Sequence, residues 1–276
     1  MNLWHRPLTA NELRQCLRIA FGCTLGFVLC KIFGWSNGVF FTVTPVLLLG
    51  MIPVMNGHAA RQLIASAAMC GLEVGLLGGL FGGHPGLMLP IVFLLFLYRF
   101  AAMSRGSLFL FGANGVLSLS IMLHFASYPE TDLNDLIFSN LWASVLSVLI
   151  AYLMTALIPD VEARPAPTPS PKAPHRMRHE ALLGASIATL SFLVFQLFDL
   201  RDSMSAQATT LLVLFPMHWD GALSYARKRA MGTLLGVSFG ILGQLVLYDW
   251  SGLLLLVTPL LWLGAMLFSH AHVKEA

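Results

Sequence analysis

The chain has 276 residues, of which 57% are hydrophobic and 11% charged, with a formal net charge of +3. A soluble domain is nearer a quarter charged, so this chain lacks the polar surface to stay in water, and a lipid bilayer must cover it. So small a positive balance also gives no sign of a nucleic-acid partner.

A bilayer core of about 30 Å needs about 20 apolar residues per helix. Ten spans follow in chain order: 15–34, 38–55, 61–82, 86–103, 106–126, 137–158, 180–198, 204–218, 228–248 and 252–270. The connectors carry turn chemistry, as in Gly34-Trp35-Ser36-Asn37-Gly38 and Gly82-Gly83-His84-Pro85-Gly86. Span five is unusually polar, with Ser107, Asn114, Ser118 and Ser120, which fits a helix packed inside a bundle. Cys16, Cys23 and Cys30 recur every seven residues of span one, and Cys70 lies in span three. Neither a CxxC pair nor a ligand-spaced His accompanies them, so they read as small core residues, and no metal or other cofactor is expected.

The basic residues set the sidedness. With a cytoplasmic N-terminus, 14 of the 16 Lys and Arg residues fall on the inner side, among them Arg6, Arg61, Arg99, Arg105 and Arg227. The outer loops receive Glu130, Asp132, Asp135, Asp199, Asp202 and Asp249 with Arg201. Both termini are therefore expected inside. Residues 161–179 are rich in Pro, Ala and basic residues and read as a cytoplasmic linker. They separate a first membrane repeat of six spans, residues 1–160, from a second of four, residues 180–276.

The two parts are related at a constant offset of 165 residues. Leu17, Ala20, Thr24, Leu25 and Phe27 fall on Leu182, Ala185, Thr189, Leu190 and Phe192, while Gly71, Gly75 and Gly78 fall on Gly236, Gly240 and Gly243. Six spans is an even number, so the second copy enters the membrane as the first does. The expected fold is an all-α polytopic membrane helix bundle, about ten transmembrane helices in two parallel repeats. Such internal repeats are a transporter feature. Nothing after Ala276 matches spans five and six, so the second repeat reads as shortened, either as a natural short form or as part of a twelve-span protein.

Each copy runs from a basic start through a span, a turn and a second span to a cytoplasmic Arg and a glycine-spaced span. In the second copy Arg229-Ala230-Met231-Gly232-Thr233-Leu234-Leu235-Gly236 gives an Arg-x-x-Gly-Thr-x-x-Gly string. In the first copy Ile64 and Ala67-Ala68 replace the Arg and the Gly-Thr. This pattern resembles the fusaric acid resistance family and its aromatic acid exporter relatives, without their large cytoplasmic domain. The resemblance implies a bacterial inner-membrane efflux transporter for aromatic carboxylates, working with a periplasmic adaptor of the membrane-fusion type.

Glu73 is the most unusual residue, about 12 residues or 18 Å into span three. A charged carboxylate at mid-membrane costs several kcal/mol, so it takes a proton or finds a partner. Proton coupling is the functional reading, and a structural bond to a neighbouring helix is the plain one. Lys31 reaches a similar depth in span one and is the expected partner, unless it snorkels to the headgroups. The repeat counterparts of these two, Gln196 and Ser238, are polar but uncharged. Thr42, Thr44 and Pro45 in span two, with Thr209 and Thr210 in span eight, could line a substrate path together with Gln196 and Ser238, because interrupted helices at matching places mark transporter sites. Arg61, Arg227 and Arg229 stand at the cytoplasmic mouth, where they could draw in an anion or simply obey sidedness. Gly71, Gly75 and Gly79, like Gly232, Gly236 and Gly240, recur every four residues, the spacing that lets helices pack closely.

The expected function is proton-coupled efflux of small organic, aromatic anions. A channel-like protein, which would be a homo-oligomer, and a non-transporting subunit of a larger assembly are the alternatives. No nucleophile elbow, phosphate loop, zinc or dinucleotide motif occurs in a usable context, so no enzyme is expected.

Overall fold

The computed structural model describes residues 7–52, 54–81, 85–128, 131–164, 172–200, 204–216, 219–250 and 252–275. The Gly82-Gly83-His84 turn lies outside them. So do Arg6, residues 165–171 of the linker, and Glu130, Arg201 and Asp202 of the expected outer loops. Among the described residues the chain forms ten α-helices and no strand. They are α1 (Ala10–Phe33), α2 (Gly38–Met51), α3 (Gly57–Phe81), α4 (Pro85–Ser104), α5 (Phe109–Ala126), α6 (Leu133–Leu157), α7 (Pro174–Leu197), α8 (Met204–Val213), α9 (Trp219–Leu247) and α10 (Leu254–Glu275).

The helices follow the ten expected spans in order, and the fold is a polytopic helical bundle. Eight are long and apolar enough to cross a membrane. The exceptions are α2, with 14 residues, and α8, with 10, about 21 and 15 Å long at 1.5 Å per residue. They occupy corresponding places in the two repeats. Helices α7 and α9 start earlier than the apolar runs suggested, because their polar first turns are helical too. Pro174 opens α7 at a position where its missing N–H costs nothing. The linker is thus shorter than 161–179.

The helices group into two compact units. The first comprises Met1–Ala60, Trp142–Ala166 and Ala230–Ala276. Here α1 packs on α2 and α10. A capping box starts α1, with the Thr9 hydroxyl accepting from the Glu12 N–H at 3.3 Å and the Glu12 carboxylate from the Thr9 N–H at 2.7 Å. Gly34, at φ +65°, ends it in the left-handed region that favours glycine. In α2, Pro45 cannot donate to the Phe41 carbonyl. That oxygen instead lies against Gly26 of α1, so closely that a Cβ at Gly26 would overlap it. A neighbouring backbone therefore covers the carbonyl that the proline leaves open.

An ionic clasp holds the segment after α6 in this unit. Arg18, fully buried, pairs with Asp160, whose second oxygen accepts from Arg164 Nε at 2.8 Å. Arg164 also donates to the Gln15 side chain at 2.9 Å and the Asn11 carbonyl at 3.1 Å, and Arg14 donates to the Pro159 carbonyl. The start of the expected linker is pinned to the first turns of α1.

The second unit comprises Arg61–Leu141 and Pro167–Arg229. Helix α4 packs on α5 and α7, and α8 packs on α5 and α7. Every residue of α5 from Leu110 to Ser120 is buried, which accounts for its serines and asparagine: they face protein, not lipid. Gln207 of α8 donates to Ser120 Oγ at 2.6 Å.

Candidate functional site

Helix α3 is two-faced, and this orients Glu73. One face carries Gln62, Ser66 and Cys70 at four-residue steps. Gln62 Nε2 donates to the Ser107 carbonyl at 3.0 Å while its Oε1 accepts from the Phe111 N–H at 3.0 Å. Ser66 Oγ donates to the Phe111 carbonyl at 2.9 Å, and the Cys70 thiol to the Gly115 carbonyl at 3.5 Å. A polar ladder thus docks α3 along the backbone of α5 and its lead-in. Glu73, three residues past Cys70, falls on this face. The opposite face carries the glycines. A Cβ at Gly71 would come within 2.8 Å of Ile137 on α6, one at Gly75 within 3.6 Å, and one at Gly78 within 3.0 Å of Leu133.

Glu73 meets Arg99 of α4. Arg99 Nη2 donates to Glu73 Oε2 at 2.7 Å and lies 3.7 Å from Cys70 Sγ. The Arg99 side chain is fully buried and that of Glu73 is 13% exposed. The guanidinium carbon stands 4.7 Å from the Phe111 ring centroid and 5.6 Å from that of Tyr98, close enough for cation–π attraction. Two glycines of α5 make room for it. A Cβ at Gly115 would sit 2.8 Å from Arg99 Cδ and 3.1 Å from both Nε and Nη1, and one at Gly112 would overlap the Arg99 carbonyl. Nε and Nη1 are buried and have no hydrogen-bond partner among the described residues. Glu73 is the seventeenth of 25 residues in α3, and Arg99 the fifteenth of 20 in α4, so the pair lies inside two membrane-length helices.

This corrects the expected partner of Glu73. Depth suggested Lys31, but Lys31 is exposed in the last turn of α1, with Nζ 5.9 Å from the Phe27 ring centroid, and belongs to the other unit. In sequence Arg99 reads as an inner-side charge because it stands near the end of its span. Its flanks, Leu97-Tyr98-Arg99-Phe100, are wholly apolar or aromatic, and Arg105 already supplies the charge after the helix. That local sequence was the available signal.

The remaining expected site residues are dispersed. Thr42 donates to the Gly38 carbonyl of its own helix at 3.0 Å, Thr44 is half-buried, and Pro45 is buried against α1. Thr209 accepts weakly from Arg229 Nε at 3.5 Å, and Thr210 donates to Ala206 O at 3.1 Å. Gln196 is half-buried near the end of α7 with Nε2 unpartnered among the described residues. Ser238 is exposed and bonds back to Leu234 O at 2.8 Å. Arg61 and Arg227 are exposed. On α9, a Cβ at Gly236 would come within 3.0 Å of Phe268, and one at Gly232 within 3.9 Å, while Gly79 and Gly240 meet no atom within 4 Å.

A family described as "Protein of unknown function (DUF2955)" matches residues 15–154. The chain belongs to this family. Its matched segment runs from α1 into α6 and holds the whole Glu73–Arg99 site. The string Arg229–Gly236, which carries the likeness to the fusaric acid resistance family, lies beyond the DUF2955 segment. No curated protein and no solved structure matches the chain.

Proposed function

We propose that the chain is a proton-coupled transporter of small organic anions, aromatic carboxylates above all, acting as an efflux carrier in a bacterial inner membrane with both termini cytoplasmic. The carrying observation is the Glu73–Arg99 pair. Burying two charges between membrane-length helices is expensive and stabilises less than a well-packed apolar contact would. Such pairs are characteristic of proton and ion pathways, where a carboxylate exchanges its partner for a proton. The internal repeat, and short helices at corresponding places within it, support a carrier further. The aromatic class comes from the resemblance of the Arg229–Gly236 string, and the Phe111 and Tyr98 rings beside Arg99 suit it.

The test is transport by the purified 276-residue chain in lipid vesicles. Protein-dependent flux of labelled 4-hydroxybenzoate, above that of protein-free vesicles, is expected to follow an imposed pH gradient and to vanish in Glu73→Gln. Equal flux with equal pH dependence in that variant would contradict the proton role. No protein-dependent flux from the wild type would return the chain to the non-transporting reading.

A further inference from the structure

Resting on that reading, we infer that Arg99 is the residue that binds the substrate carboxylate, and that an anion reaches it only together with a proton on Glu73, so that the two cross as an electrically neutral pair.

The inference follows from counting charge at a buried site, where Arg99 is fully covered and Glu73 nearly so. Arg99 is fully buried, and a guanidinium is a standing positive charge. It must therefore always face one negative group. In the structure that group is Glu73, bound through Nη2 alone at 2.7 Å. A guanidinium offers five N–H donors, and here Nε and Nη1 are buried without an acceptor among the described residues. The side edge formed by Nε and Nη2 matches a carboxylate with two parallel hydrogen bonds. Glu73 occupies half of that edge. An incoming carboxylate could take both N–H groups, provided that Glu73 lets go.

Four loadings are possible. With Glu73 ionised and no anion, the pair is neutral. With Glu73 protonated and an anion on Arg99, the site is again neutral. The proton sits on a Glu73 oxygen, the Arg99–Glu73 ion pair is broken, and a carboxylate–Arg99 pair replaces it. Either ligand alone leaves an uncompensated buried charge, which suppresses that state by about a hundredfold or more. The two permitted states are thus the empty one and the one carrying both ligands.

Among the described residues, no other charged group bonds to either member of the pair. Around the pair, Cys70 of α3 and Tyr98 of α4 are the nearest titratable groups, and α5 contributes Phe111, Gly112 and Gly115. His124 lies nine residues beyond Gly115 on α5, and Asp135 in the first turn of α6. On α7, His175, Arg176, Arg178, His179 and Glu180 cluster in the first two turns, where Glu180 is held by Lys172 at 2.7 Å and Arg176 at 3.1 Å. Net direction then follows the product of the anion and proton gradients. Outward movement occurs when the acid is more abundant inside.

Calorimetry of benzoate binding to the full chain in lipid nanodiscs, at pH 7 in buffers of different ionisation enthalpy, tests this. The wild type is expected to take up close to one proton per benzoate. Glu73→Gln is expected to bind benzoate with no proton uptake, because the neutral amide mimics the protonated state. Glu73→Gln leaves Arg99 without a counter-charge until benzoate binds and Arg99→Gln leaves Glu73 alone, so folding of each is checked by its melting midpoint, and the double variant Glu73→Gln, Arg99→Gln removes both charges. It is expected to fold and to bind at least a hundredfold more weakly than Glu73→Gln. Wild-type binding without proton uptake, or retained affinity in the folded double variant, overturns the inference while leaving proton-coupled transport standing. No benzoate binding by the wild type overturns the inference together with the aromatic substrate class.

Discussion

Arg99 and Glu73 are best understood by what each would cost alone. A buried ion pair adds little to stability, yet removing one partner costs about 3–5 kcal/mol because the other charge is stranded. Glu73→Ala and Arg99→Ala are each expected to lower the thermal midpoint of the detergent-solubilised protein markedly. The double variant should be more stable than the sum of the two losses predicts, which a double-mutant cycle reads directly. Additive losses would mean that the pair is not coupled. Gly115→Ala places a methyl against the Arg99 side chain and should cost about 1–3 kcal/mol by overpacking. Glu73 was legible in the sequence because a lone acid in an apolar run has few explanations. Its partner was not: a residue's depth along a helix is readable, but which helices touch is not, and two residues of similar depth can stand in different units.

Among the elements, α3 carries most of the design. Its Gln62, Ser66 and Cys70 bond to α5 while its glycines admit the side chains of α6. The glycine spacing was visible in the sequence, but its consequences differ along the row. Gly71→Ala drives a Cβ to 2.8 Å from Ile137 and should weaken the fold by about 1–3 kcal/mol, whereas Gly75→Ala makes ordinary contact at 3.6 Å and should be tolerated. Comparison of the two unfolding midpoints checks this, and equal effects would contradict the packing shown. The polar ladder was missed because Gln62 and Ser66 are unremarkable in the first turns of a helix and their partners are backbone groups. Helix α2 shows the same limit. Pro45 announces an open carbonyl, but the sequence does not say that Gly26 of α1 covers it. Gly26→Ala should separate α1 from α2 and reduce the yield of folded protein.

For the whole molecule, the ten helices among the described residues and their order were readable from hydropathy, since an apolar run of about 20 residues satisfies its backbone in lipid as a helix. The offset of 165 residues places the two short helices at matching positions. What the repeat could not supply was the division into two units, each of which gathers segments from both halves of the chain. The Arg18–Asp160–Arg164 clasp shows why: charge complementarity between residues some 140 apart leaves no periodic trace.

Neutral movement of an anion with its proton has one direct electrical consequence. A carrier that moves a net elementary charge is driven by about 2.3 kcal/mol per 100 mV, close to a fiftyfold change in distribution. The decisive measurement is the protein-dependent flux of labelled 4-hydroxybenzoate into vesicles with a fixed pH gradient, clamped at 0 mV and at −100 mV. Neutral co-movement through Glu73 and Arg99 predicts a flux that is the same at both potentials and absent in Glu73→Gln. A flux that shifts with the potential, or that persists in the variant, would contradict it.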